Sequence, residues 1–152
     1  MSATQVDPDQ VDVRGPRFAA WITTAVLILA LLISTVSVPG AALILGLQTV
    51  VFAVGAALGP RRHPYGMVFA TLIAPRLGPA TEREPVTPLK FAQLVGFGFA
   101  VVGTVGFALG APAVALVATS FALFAAFLNA AFGICLGCQI YPLVARFRRV
   151  PA

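Results

Sequence analysis

Charge is what this sequence has least of. Only 10% of its residues are Asp, Glu, Lys or Arg, against about 25% in soluble globular chains. Apolar residues make up 59%, above the roughly 45–50% that is usual. A water-soluble fold of 152 residues could not cover itself with so few charges, so lipid has to be part of its solvent. Cysteine is scarce too. Cys135 and Cys138 are the only two, which excludes a disulfide-stapled secreted scaffold. No hydrolase triad, phosphate loop, paired-carboxylate site or zincin motif is present, and no cofactor is expected. The net charge of +5 does not point to nucleic acid, because the basic residues flank apolar runs instead of forming a stripe among polar ones.

What is present is a set of four long apolar runs, at about 18–38, 41–58, 91–109 and 113–135. Each is close to the roughly 20 residues needed to cross a hydrocarbon core of about 30 Å. Pro39-Gly40 and Gly110-Ala111-Pro112 are tight reversals. They predict an all-α polytopic membrane protein: four transmembrane helices arranged as two antiparallel hairpins, within a domain spanning 18–145. A faint internal match, Arg17-Phe18-Ala19 with Lys90-Phe91-Ala92, suggests a duplicated hairpin. Residues 1–17 read as a loose polar tail and 146–152 as a basic tail. Residues 64–76 are apolar but too short to span, so they are expected to lie in the interface as a short helix, with Tyr65 and Arg76 near the headgroups. The stretch after them is expected to be an exposed linker.

All ten Lys and Arg residues fall in the two tails or the middle loop, and the two tight reversals hold none. The basic-residue bias places those three regions in the cytoplasm. The expected location is the cell inner (plasma) membrane, multi-pass, with both termini cytoplasmic and the lipid bilayer as first partner.

Within the spans there is no Asp, Glu, Lys, Arg or His, which counts against a proton-coupled transporter. Gln48 and Asn129 are buried-amide candidates that could bond to each other as structural glue. Gly96, Gly103 and Gly110 recur at heptad spacing, with Gly106 in small-xxx-small register to Gly110, and could pack the bundle or form a homo-oligomer seam. The sharpest feature is Cys135-Leu136-Gly137-Cys138. On a helix, thiols three residues apart share one face within about 6 Å, a spacing suited to a reversible disulfide or soft-metal capture. As plain packing, each Cys is a small hydrophobe. Near a helix C-terminus the dipole disfavours thiolate, so a helix break at Gly133 or Gly137 would be decisive for redox chemistry. His63, the only histidine, could complete a Cys-Cys-His metal site or be an ordinary interfacial residue.

Val11-Asp12-Val13-Arg14-Gly15-Pro16-Arg17-Phe18, Arg62-His63-Pro64-Tyr65-Gly66 and Phe132-Gly133-Ile134-Cys135-Leu136-Gly137-Cys138 together resemble the small bacterial membrane proteins of domain-of-unknown-function family 4395. That resemblance covers nearly the whole chain after the tail. It implies a four-helix membrane domain and supplies no activity.

Three functions compete. The first is a membrane thiol protein whose Cys135/Cys138 pair exchanges electrons, or sulfur, with a cytoplasmic thioredoxin-like or sulfurtransferase partner. The second is a non-enzymatic scaffold that anchors or assembles other membrane proteins through its glycine face and interfacial segment. The third is a small solute or soft-metal carrier.

Overall fold

The computed structural model of the protein describes residues 9–149. Its order is β1 (Gln10–Asp12), α1 (Arg14–Ser34), α2 (Val38–Leu58), α3 (Pro64–Val68), a π-helical turn (Phe69–Ile73), α4 (Ala74–Leu77), β2 (Arg83–Pro85), α5 (Val86–Ala108), α6 (Pro112–Phe132) and α7 (Leu136–Arg149). The fold is all-α apart from one short ribbon. Four helices, α1, α2, α5 and α6, are 21 to 23 residues long and apolar enough to cross a membrane. At a rise of about 1.5 Å per residue each is some 30 Å long.

Local chemistry sets where these helices begin. Ser37 caps α2, its hydroxyl accepting the Gly40 N–H at 3.1 Å, with Pro39 in the first turn where its missing N–H costs nothing. Pro112 starts α6 in the same way. Threonine hydroxyls inside the spans donate back to the preceding turn, as Thr49 to Leu45 O and Thr119 to Ala115 O, both 2.7 Å. Their polarity is thereby satisfied without water.

The helices close a ring: α1 packs on α2 and α6, and α5 packs on the same two. Leu27, Leu45, Phe52, Phe107 and several alanines fill its centre. Three glycines of α5, Gly96, Gly103 and Gly106, face this interior. A Cβ on Gly96 would lie 2.7 Å from the Phe52 ring, and one on Gly103 would lie 2.6 Å from Leu45 Cδ2 and 2.9 Å from Thr119 Oγ1. Gly106 meets Ala115 in the same manner. Gly110 does not join that row; it sits in the turn after α5 with φ of 76°. Gly96, Gly103 and Gly106 therefore form a packing seam within the chain.

This seam predicts opposite effects for one chemical change. Gly98 has open space around it, so Gly98→Ala should stabilise by up to about 1 kcal/mol through helix propensity. Gly103→Ala should instead destabilise by about 1–3 kcal/mol, because Leu45 and Thr119 are fully buried and overpacking exceeds the propensity gain. Melting temperatures of the two purified variants would check the sign of each.

Several expected boundaries differ. Within the N-terminal tail, β1 pairs antiparallel with β2, Asp12 opposite Arg83. Arg14 binds the Asp12 carboxylate at 2.7 Å and donates to the carbonyls of Leu77 and Gly78. The supposed linker thus holds β2 and leads straight into α5, which starts at Val86 and not near 91. Residues 1–8 and 150–152 of the two tails lie outside the described residues. The basic C-terminal segment is helical through Arg149 as part of α7. The fourth run does not reach residue 135 as one helix.

Candidate functional site

The interruption of that fourth run builds the site. Gly133 adopts the left-handed conformation, φ 69° and ψ 17°, and ends α6. Its N–H and that of Ile134 return to the carbonyls of Asn129 and Leu128. A left-handed glycine one place beyond the helix is a common stop signal, because no Cβ opposes it. The chain then restarts within three residues. Cys135 O accepts the Gln139 N–H at 3.1 Å, so Cys135 is the residue capping α7.

The two cysteines therefore open a helix instead of closing one. They are joined as a disulfide, with Cα atoms 5.2 Å apart. The Cys138 N–H donates to Cys135 Sγ at 3.2 Å, in the way a cap side chain usually accepts from the third residue of its helix. Once the disulfide is reduced, the same amide and the positive end of the α7 dipole would face a Cys135 thiolate. The Arg17 guanidinium adds positive charge nearby, 3.8 Å from where a Cβ on Gly133 would lie. Both cysteines are half-buried.

Docking onto α5 holds this helix start in place. Gly137 lies so close to Ala92 that a Cβ there would come within 2.6 Å of Ala92 Cα. One turn on, the Tyr141 and Phe91 rings meet with centroids 5.7 Å apart. This helix is amphipathic and exposes Ile140, Leu143 and Phe147. The change from an unbroken apolar run to mixed residues after Gly133 was the sequence signal for it.

Beside Cys135 lies a cavity of about 750 Å³, walled by α1, α3, α5, α6 and the start of α7. Its surface is mostly apolar, with His63, Gln93 and Asn129 among its polar groups and Asp12, Arg61 and Arg83 at the β1–β2 end. His63 is not the surface residue the sequence suggested; it is 2% exposed. Its Nδ1 accepts the Tyr65 N–H at 3.2 Å, which leaves the remaining ring proton on Nε2. That atom and Gln93 Oε1 are both buried without a hydrogen-bond partner among the described residues. Burial pushes the imidazole pKa down to about 4, and proximity of Gln93 only partly opposes this. His63 is neutral at pH 7.

Two further expectations are corrected. Tyr65 does not reach outward; its hydroxyl donates to Gln48 Oε1 at 2.7 Å. Gln48 in turn donates to Thr23 Oγ1 at 3.5 Å. The buried amide is thus satisfied by α3 and α1, and not by Asn129, which lines the cavity instead. Among the described residues no three His, Cys, Asp or Glu side chains converge to hold a metal, so His63 does not complete a metal site with the cysteines. Gln93 was missed in the sequence, although it is the one amide of the third run and could have been singled out on that ground.

A family model described as Domain of unknown function (DUF4395) matches residues 11–146. No curated protein and no solved structure matches the chain.

Proposed function

Because the chain belongs to the DUF4395 family, whose description assigns no activity, we propose its function from the geometry: a membrane thiol–disulfide protein whose Cys135–Cys138 pair exchanges electrons with a thioredoxin-like dithiol protein of the cytoplasm. The observation that carries this reading is the helix restart after Gly133, which gives Cys135 the amide and dipole that a thiolate needs.

The chemistry follows from the asymmetry of the pair. Cys135 lines the cavity and Cys138 does not. A partner thiolate attacks Cys138 Sγ, the disulfide breaks, and Cys135 leaves as thiolate, stabilised at the helix start; a lower-pKa thiol leaves faster. The partner's second thiolate then attacks its own sulfur in the mixed disulfide and releases Cys138. Two electrons have moved to this protein, which takes up two protons to become the dithiol, and the partner is left as a disulfide.

The setting is an inner membrane with the basic segments, both termini and the cysteine pair on the cytoplasmic side, as the distribution of Lys and Arg favours. In that frame α1–α2 and α5–α6 are antiparallel hairpins, and the 64–77 segment and α7 lie at the interface. A soluble partner would then meet Cys138 from water.

Thiol trapping with a mass-shifting reagent tests the reading. Wild-type protein mixed with reduced thioredoxin should gain two reactive thiols. Cys135→Ser should hold the partner's single-cysteine variant as no stable mixed disulfide. Wild-type protein whose disulfide stays intact against a reduced thioredoxin-like protein would end the proposal.

A further inference from the structure

Electrons that arrive at Cys135 need somewhere to go, and the cavity beside it has the features of a receiving site. We propose that this cavity binds a lipid-soluble quinone and that the Cys135/Cys138 dithiol reduces it, an inference that rests on the thiol–disulfide reading of the same pair.

Size and lining come first. About 750 Å³ falls within the roughly 300–1,000 Å³ of small-molecule sites, and is ample for a substituted aromatic ring with the start of an isoprenoid or alkyl tail. Phe52, Phe69 and Phe99 contribute to the wall. Phe121 and Phe124 line it too while remaining 57% exposed on the outside of α6, so one side of the cavity is continuous with the apolar outer surface of the bundle. A ligand entering there would come from hydrocarbon and not from water.

Polar groups identify the head. His63 Nε2–H, on a side chain only 2% exposed, makes no well-formed hydrogen bond, although Gln93 Oε1 lies close enough to act on it electrostatically. Leaving such a donor unpaired is costly, and a quinone carbonyl is an acceptor of the right kind. Asn129 can donate a second hydrogen bond. Gln93 Oε1, the unpaired buried acceptor, has no group to receive from a quinone but would receive a hydroxyl proton from the quinol. The site therefore holds donors for the oxidised head and an acceptor for the reduced one. No charged side chain lines the cavity near Asn129 and Cys135, since Arg17 approaches Gly133 without entering the lining; Asp12, Arg61 and Arg83 line the far, β1–β2 end.

The step balances without a resident cofactor. Cys135 and Cys138 lose two electrons and two protons and re-form their S–S bond. The quinone gains both electrons and both protons, its two carbonyl oxygens becoming hydroxyls. Cys135, as the cavity-lining sulfur, is the atom that meets the ring.

The test uses full-length protein in nanodiscs and a fully ring-substituted decyl benzoquinone, which offers no free ring carbon for thiol addition. Binding is measured by equilibrium dialysis against the disulfide form. Reduction is followed anaerobically by quinone absorbance after the protein has been reduced and desalted. Wild type should bind one equivalent and reduce one equivalent as its disulfide returns. Ala125→Trp and Ala126→Phe, which fill the cavity from α6, should each lower binding at least tenfold, provided the variant keeps the wild-type melting temperature. Cys138→Ser, which cannot form the disulfide, should reduce nothing. Absent or unsaturable quinone binding in wild type, with thioredoxin exchange intact, overturns the cavity assignment and spares the thiol–disulfide reading. Quinone binding with no oxidation of the dithiol overturns the electron step. If the disulfide resists thioredoxin but dithiothreitol-reduced protein still passes electrons to quinone, the cavity inference stands and the proposed partner falls.

Discussion

Gly137→Val should detach α7 from the bundle and expose the disulfide. The contact that Gly137 makes is with the backbone of α5, since an added Cβ would meet Ala92 Cα at 2.6 Å and Ala92 Cβ at 2.7 Å. A side-chain neighbour could rotate away, but a helix backbone cannot. Relief requires the two helices to part, which separates the Tyr141 and Phe91 rings as well. Overpacking of this kind costs about 1–3 kcal/mol. A short helix with an internal proline, Pro142, has little else to hold it down. We expect reduction of the Cys135–Cys138 disulfide by a small thiol to accelerate at least tenfold, roughly the rate equivalent of 1.4 kcal/mol. Far-UV helicity should change little, because the four long helices do not depend on α7. Wild-type reduction kinetics in Gly137→Val would show that α7 is not held by this contact.

Mild acid should destabilise the protein through a single side chain. His63 has a folded pKa of about 4 against an ordinary value near 6.5, so folding favours the neutral ring. That contribution is whole above about pH 6.5 and is lost as pH falls toward 4. Linkage puts the loss at about 2 kcal/mol by pH 5. The physical cause is desolvation: Nε2 has no partner, and the added proton at Nδ1 would displace the bond from the Tyr65 N–H. His63→Asn keeps an acceptor at the helix cap while removing the titration. Its melting temperature in detergent should be flat between pH 7 and pH 5, where the wild type falls by several degrees. Parallel pH curves for the two proteins would assign the acid effect elsewhere. Asp12 is the natural second candidate: partial burial raises its pKa, but the Arg14 hydrogen bonds outweigh that and hold it below the usual carboxylate value. Its contribution is lost only at lower pH, below the unperturbed value near 4.

The cysteine pair shows how much of a site a sequence can carry. Its residues, its spacing and the alternatives for it were all visible in Cys135-Leu136-Gly137-Cys138. Its chemistry was not, because the same four letters favour thiolate at a helix start and oppose it at a helix end. Gly133 was one of two candidate breaks, and the choice between them depended on whether the chain could dock a new helix on α5. It can, because Ala92 and Gly137 are both small enough to touch.

His63 and Tyr65 teach the reverse lesson. Flanked by Arg61, Arg62 and Pro64, they read as headgroup residues, since sequence neighbours were the only environment to judge by. Their true neighbours are Gln48, Gly55 and Gln93, brought in from α2 and α5. The pairing of Gln48 with Asn129 failed because Gln48 lies midway along α2 and Asn129 close to the end of α6, a mismatch in depth that neither run's hydropathy reveals.

Composition and hydropathy determined by themselves that this chain forms four long apolar helices, because backbone groups removed from water must bond within their own segment and apolar side chains must follow in an unbroken run. Tertiary structure alone decided which polar groups meet, where the fourth run breaks and what lines the cavity beside Cys135. Those depend on contacts between segments far apart in the chain, and a hydropathy pattern has no term for the small residues that let two backbones approach.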